Sequence, residues 1–283
     1  MIRLRNRIAI GAALVAAPIV CVPASAHPAA AHHGQPPRGG KPHSTPAPPT
    51  APGTAPPAPR TSPQASRTPP VAVRALTRLG HVARYAFVER STIARSQPSS
   101  SAKPVGRLQT VTFWGTSMVV LALADTTGPS HTSWTEIRLA QPPNNLTGWV
   151  PSSTLSALHA VHTWLKVDRE HLTATLIRDG RVIFHAPVGV GQPQWPTPAG
   201  QFFVEESLTP PEVNGVYGPF AFGTSAHSSA LTEWPNKGQI GVHGTNEPWL
   251  IPGRISHGCV RLHNEDILRL EHLMPVGTPI TIS

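Results

Sequence analysis

Cysteine is all but missing from this 283-residue chain, which has only Cys21 and Cys259. So few thiols exclude a disulfide framework, and a thiol without a partner in an exported chain reads as reactive rather than structural. Acid is missing from the first 88 residues. Ten of the 23 Lys and Arg lie there, before the first acid, Glu89, while the 13 that follow are matched by 14 acids. The net charge of +9 therefore belongs to the leading stretch and not to a folded face. That distribution argues against a nucleic-acid partner, although a basic tail still attracts anionic polymers or lipid headgroups non-specifically. Long apolar runs are also lacking. The longest candidate, Ile8 to Val22, is shorter than the ~20 residues a spanning helix requires.

What is present begins with a leader. Met1 to Arg7 carries three arginines, Ile8 to Val22 is apolar, and Ala24-Ser25-Ala26 has the small residues of a cleavage site. This is the pattern of a secretory signal peptide over 1–26, and an exported location follows. An uncleaved anchor is the weaker alternative. A lipid-modified Cys21 is disfavoured by the bulky Val20 before it. Residues 27–72 hold 14 of the 34 prolines and no acid or aromatic residue, so this stretch reads as a disordered spacer.

From 73 to 160 the pattern changes to short apolar runs broken by turn residues. Tyr85–Val88, Gln109–Trp114, Met118–Leu123, Trp134–Leu139 and Thr147–Val150 read as strands, and Pro142 to Asn145 as a turn. The Gly148-Trp149-Val150 ending resembles bacterial SH3-like modules, so a small SH3-like β domain is expected. Trp114, Trp134 and Trp149 are assigned to its core in preference to a sugar platform.

Residues 161–283 make a second domain. Leu165–Asp168 reads as a strand. Leu172–Ile177 and Arg181–Phe184 read as a hairpin about Asp179-Gly180, which tolerates positive φ. Gln201–Glu205, Tyr217–Phe222 and Gln239–Val242 read as further strands. Asn264 reads as the cap of a single helix, with Glu265 and Asp266 in its first turn and Pro275 beyond its end. The chemistry is concentrated between Ile240 and Leu262, where Cys259 is preceded by Gly258, His257 and Ser256, and by His243 sixteen residues earlier. A thiol, a histidine and a glycine-bordered turn are the elements of cysteine acyl transfer.

His243-Gly-Thr followed by Ser256-His-Gly-Cys-Val-Arg-Leu262 resembles the signature of the L,D-transpeptidase family of bacterial cell-wall enzymes, the YkuD domain. Pro196-Thr-Pro-Ala-Gly-Gln-Phe202 is a second feature similar to that family. The resemblance implies a mainly β fold: an L,D-transpeptidase-type β-sandwich with one helix, behind the smaller β-barrel-like module. It implies a donor stem peptide of peptidoglycan, attacked by the thiol at its third residue. The terminal D-alanine leaves, and a neighbouring stem's amine resolves the acyl-enzyme into a 3–3 cross-link. Carbapenems acylate the same cysteine in such enzymes. Peptidoglycan stems are then the partners, with anionic wall polymers added through the basic tail, and no cofactor is expected.

Residue by residue, Cys259 is the expected nucleophile and His243 its base, because a free thiol with a pKa of ~8.5 is weakly ionised at neutral pH. Gly244, through its carbonyl, is a candidate to hold the other ring nitrogen. The turn His257-Gly258-Cys259 can supply N–H donors to an oxyanion. His257 is either a second catalytic histidine or a brace for the loop through hydrogen bonding. Ser256 tightens the loop through its hydroxyl. Arg261 either pairs with a substrate carboxylate or closes an internal salt bridge. A water-using L,D-carboxypeptidase fits the same residues, and a non-catalytic wall-binding protein is the rival outside enzymes. His243, His257, His263 and Cys259 have the chemistry of zinc ligands but fit no standard finger spacing, so no metal is assigned.

Overall fold

A computed structural model describes residues 72–128 and 131–283. The leader and the proline-rich stretch expected at 1–26 and 27–72 lie outside these residues, apart from Ala72. The described residues fall in one compact unit built on two sheets.

The first sheet contains β1 (Arg74–Ala75), β2 (Ala83–Phe87), β3 (Thr92–Arg95), β4 (Pro104–Leu108), β5 (Val119–Thr127), β6 (Ser133–Arg138), β7 (Thr147–Pro151) and β8 (His159–Val161). Its order is β4-β3-β7-β6-β5-β2-β8, with β1 pairing on β5. Its longest strand, β5, explains an unusual feature of the sequence. Val119 to Ala122 is a continuous apolar run, and all four residues are buried. Val120 packs into the sheet's own core with Ala86, Ile137 and Val150. Val119 and Leu121 face the other way and pack on Phe203 of the second sheet. A strand covered on both faces reads as a solid apolar run rather than an alternation.

The second sheet contains β9 (Thr163–Asp168), β10 (Thr173–Arg178), β11 (Arg181–Pro187), β12 (Gly189–Gly191), β13 (Gly200–Leu208), β14 (Ala221–His227), β15 (Gln239–His243), β16 (Gly253–Ser256), β17 (Val260–Arg261) and β18 (Pro279–Ile282). Its order is β11-β10-β9-β18-β13-β14-β15-β17-β12-β16. The β10–β11 hairpin turns at Asp179 (φ 49°) and Gly180 (φ 77°), the geometry for which that dipeptide is suited. Among the described residues the single regular helix, Asn264–Leu273, buries Ile267 and Leu270 in the main core beside Val242, Val260 and Leu262. Each fully buried side chain of this size contributes about 1.5–3 kcal/mol.

Four expectations are corrected. Residues 109–114 do not form a strand. The strand is β4, and the segment after it is a tight turn in which Thr112 N–H donates to the Thr116 carbonyl (2.8 Å) and Gly115 takes φ 80°. Tyr217 to Pro219 also stay outside the sheet. Gly218 has φ 63° and Pro219 has no N–H to give, so β14 starts at Ala221. Asn264 is the first helical residue and not the cap, a place taken by His263 without a side-chain hydrogen bond. The three tryptophans expected in the first core are divided: Trp134 is 4% exposed and Trp114 is 39% exposed, with Trp149 between them.

Candidate active site

Strands β15 and β17 run parallel, with Val242 opposite Val260 and His243 opposite Arg261. Side chains alternate along a strand. Val242 and Val260 therefore enter the core, while Gly241, His243, Cys259 and Arg261 share the other face. Gly241 lies beneath both His243 and Cys259. A Cβ built there would stand 3.5 Å from His243 Cδ2 and 3.9 Å from Cys259 Sγ. The Gly241 N–H itself donates to the sulfur at 3.3 Å. Two motif halves sixteen residues apart in sequence thus meet over one glycine.

His243 is 3% exposed. Its Nδ1 lies 2.6 Å from the Gly244 carbonyl. A carbonyl only accepts, so Nδ1 carries the proton and Nε2 of the neutral ring is left as the acceptor. Burial, with Arg261 nearby, pushes the ring's pKa down to about 4 against the favourable Gly244 bond. Burial pushes the Cys259 thiol up, opposed by the Gly241 N–H and by Arg261. Both members of the pair are therefore uncharged at rest near neutral pH. Cys259 retains partial exposure.

The loop carrying the sulfur is held from both sides. Ser256 Oγ donates to the Cys259 carbonyl (2.6 Å) and accepts from Gly258 N–H (3.0 Å). Thr197 Oγ1 donates to the Gly258 carbonyl (2.7 Å) and accepts from Gly191 N–H (2.8 Å), so the Pro-Thr-Pro segment clamps the turn that carries Cys259. Gly258 has φ 121°, and a Cβ on it would stand 2.8 Å from Ile240 Cδ1. These contacts narrow one expectation. The Gly258 N–H already serves Ser256, so it does not point to an oxyanion.

His257 braces the loop without the expected hydrogen bond. Its ring lies between Trp195 (4.2 Å between centroids, 34°) and Trp234 (5.1 Å, 35°). Arg261 closes an internal pair with Glu247 at 2.9 Å, and its buried Nε has no partner among the described residues. The four residues with zinc-ligand chemistry are in different settings: His257 between the indoles, His243 bonded to Gly244, Cys259 over Gly241, and His263 at the helix start.

Sequence reasoning missed several neighbours. Tyr217 presents an edge to the His243 ring (5.0 Å, 71°), and burial and Cys259 raise its hydroxyl pKa. Asn264 Oδ1 accepts from Thr245 N–H at 2.8 Å, so it fixes the loop after His243 instead of capping its helix. Thr197 was signalled by the proline motif. Tyr217 and Asn264 had no local signal for these roles.

Residues 162–282 match the model of the L,D-transpeptidase catalytic domain, YkuD. The chain is 33% identical over 111 residues to YkuD of Bacillus subtilis, which is 39% of this chain and 60% of that protein. It is 56% identical over 39 residues to YbiS of Escherichia coli K12, 14% of this chain and 13% of that one. The chain thus spans about 60% of the length of the Bacillus relative. Solved structures similar to it include an L,D-transpeptidase from Mycobacterium smegmatis, with 16% identity, coverage of 68% of this chain and 99% of that one, and a TM-score of 0.37. Another is the catalytic domain of the Enterococcus faecium enzyme, with 23% identity, 43% and 96% coverage, and a TM-score of 0.32.

Proposed function

We propose, from the match of residues 162–282 to the L,D-transpeptidase catalytic domain of the YkuD family, that this protein is an exported peptidoglycan L,D-transpeptidase that forms 3–3 cross-links through an acyl-enzyme on Cys259. The observation that carries the reading is the meeting of Cys259 and His243 over Gly241. The neutral imidazole has its free nitrogen available, so it acts as a general base and the thiolate forms only as attack begins. The sulfur adds to the carbonyl of the third stem residue, and its proton passes to His243. The carbon–nitrogen bond to D-alanine breaks and His243 returns the proton to that amine. A thioester remains. An acceptor amine then adds to it, gives its proton to His243, and the carbon–sulfur bond breaks as the sulfur takes that proton back. The N–H groups of His257 and Cys259 are the turn's remaining donors for the oxyanion. With the leader removed, the basic tail adds non-specific attraction to anionic wall polymers.

Two measurements test this. Intact mass of the full-length protein after carbapenem exposure gains one drug mass, and Cys259→Ala gains none. Incubation with purified sacculi yields cross-linked dimers. Trimmed stems without dimers would replace the reading with the carboxypeptidase one, and an unmodified thiol together with unaltered sacculi would leave a wall-binding protein.

A further inference from the structure

The face of β15 that carries the site extends beyond it. Gln239, Gly241 and His243 alternate on one side of that strand, and the sulfur lies over the middle residue. Gln239 is therefore about 7 Å from Gly241, on the opposite side of the thiol from His243. Its side chain is fixed at both ends. Nε2 is within donor reach of Glu205 Oε2 (3.0 Å), Glu206 Oε1 (3.1 Å) and the Thr224 carbonyl (3.1 Å). Oε1 accepts from Asn236 Nδ2 (3.1 Å) and from the indole N–H of Trp114 (2.8 Å).

Trp114 belongs to the turn after β4, in the other sheet. That turn is anchored as well: Thr112 and Thr116 hydroxyls both donate to Glu206 Oε2, at 2.7 and 2.8 Å. Two consecutive glutamates reach one glutamine because β13 shifts register against β14 between Val204 and Glu206, and such a bulge cancels the alternation of faces. Gly223 leaves the room, since a Cβ there would lie 2.7 Å from the Glu206 side chain. Glu205 and Glu206 are 3% and 1% exposed. Burial and its neighbour hold the Glu205 carboxyl well above the usual range.

This scaffold holds an indole by its edge while leaving it 39% exposed, next to Phe113 (62%). Two residues before Asn236 stands Trp234, 47% exposed and tilted against His257 (5.1 Å between centroids, 35°), which precedes the Cys259 turn. The two sides of the thiol differ in what lines them. On the His243 side Arg261 is close enough to bias both His243 and Cys259 and is itself paired with Glu247 at 2.9 Å. On the Gln239 side, beside the exposed Lys237, are aromatic faces, which attract an ammonium.

We infer that Trp114, from the first sheet, is part of the reaction site of the second: with Trp234 it walls the groove on the far side of the thiol from His243 and receives the amine-bearing acceptor stem. This rests on the transpeptidase reading and assigns its acceptor side. The amine reaches the thioester carbon from the tryptophan wall, the new carbon–nitrogen bond replaces the carbon–sulfur bond, and the amine's proton leaves through His243 to the sulfur.

The test uses the full chain, a ¹³C-labelled diaminopimelate tetrapeptide as donor and an unlabelled diaminopimelate tripeptide as acceptor. Mass spectrometry reads the ratio of dimer to hydrolysed donor. Trp114→Ala and Trp234→Ala should each lower that ratio about tenfold, with recovery at high acceptor concentration. Trp114→Phe keeps a ring but loses the tether, and should lower the ratio about threefold. If dimer and hydrolysed donor fall in step, or the ratio stays within about twofold of the wild type, the inference is overturned while the transpeptidase reading stands. If the wild type consumes no donor, both fail. Circular dichroism checks each variant's fold, and Trp234→Ala and Trp114→Phe decide the matter should Trp114→Ala not fold.

Discussion

A depressed histidine pKa has two consequences at the residue scale. His243 stays neutral in the folded protein down to pH of about 4, whereas the unfolded chain's histidine takes up its proton near 6.5. Between those values the unfolded state binds more protons, so folding stability is complete above 6.5 and is lost as the pH falls toward 4. The window amounts to about 3 kcal/mol. Urea unfolding of wild type and His243→Gln at pH 7 and pH 4.5 should show the wild type losing more stability on acidification, and equal losses would contradict a buried neutral ring. Gly241 gives a second prediction at this scale. A Cβ there meets only ordinary contacts, the nearest being the Phe222 carbonyl at 3.4 Å. Gly241→Ala should therefore fold, with a change in stability of about 1 kcal/mol or less. Its methyl group nevertheless lies against both sulfur and imidazole, and carbapenem acylation should slow by about tenfold or more. Acylation at the wild-type rate would show that the reacting carbonyl does not need that space.

The elements divide by how local their causes are. The β10–β11 hairpin, the helix and the β15 strand were legible because Asp179-Gly180, the flanking Pro275 and the apolar alternation act within a few residues. Cys259 and His243 stand out in the sequence by residue type, and the structure brings both over Gly241. The turn at 109–118 was not legible. Its apolar pattern suits a strand, but its threonines are drawn to Glu206 and its tryptophan to Gln239, 125 residues away, and no short window contains that information. Asn264 was misread for the same reason, since a helix-start asparagine has a local use and here serves the His243 loop instead. Asn264→Ala leaves Thr245 N–H without its partner inside a buried loop, at a cost of about 1–3 kcal/mol. Because that loop follows His243, the base in the proposed mechanism, acylation should fall more than the helix content does. Asn264→Asp keeps an acceptor and should recover most of the loss. Loss of helicity in proportion to loss of acylation would instead make Asn264 a helix residue only.

Across the whole molecule, the two sheets are not beads on a string. Phe203 of β13 is fully buried against Val119, Leu121 and Val161 of the first sheet, and Tyr85 lies so close to Gly277 that a Cβ there would come within 2.4 Å of its ring. The polar junction at Glu206 lies on the same strand three residues beyond Phe203, so β13 carries apolar and polar ties together. Sequence reading placed a boundary near residue 160 because the chain changes sheets there, between Val161 and Thr163. Composition marks where a sheet ends and not what its outer face packs on. The shared core predicts one calorimetric unfolding transition for residues 72–283, as expected when neither part can lose its partner cheaply. Phe203→Ala should cost about 3–5 kcal/mol, and its effect should appear in both sheets at once: hydrogen exchange should rise in β5 as well as in β13. Faster exchange confined to the second sheet, or two separate transitions in the wild type, would mean that the first sheet stands alone, and the hold of Trp114 on Gln239 would then lose its mechanical support.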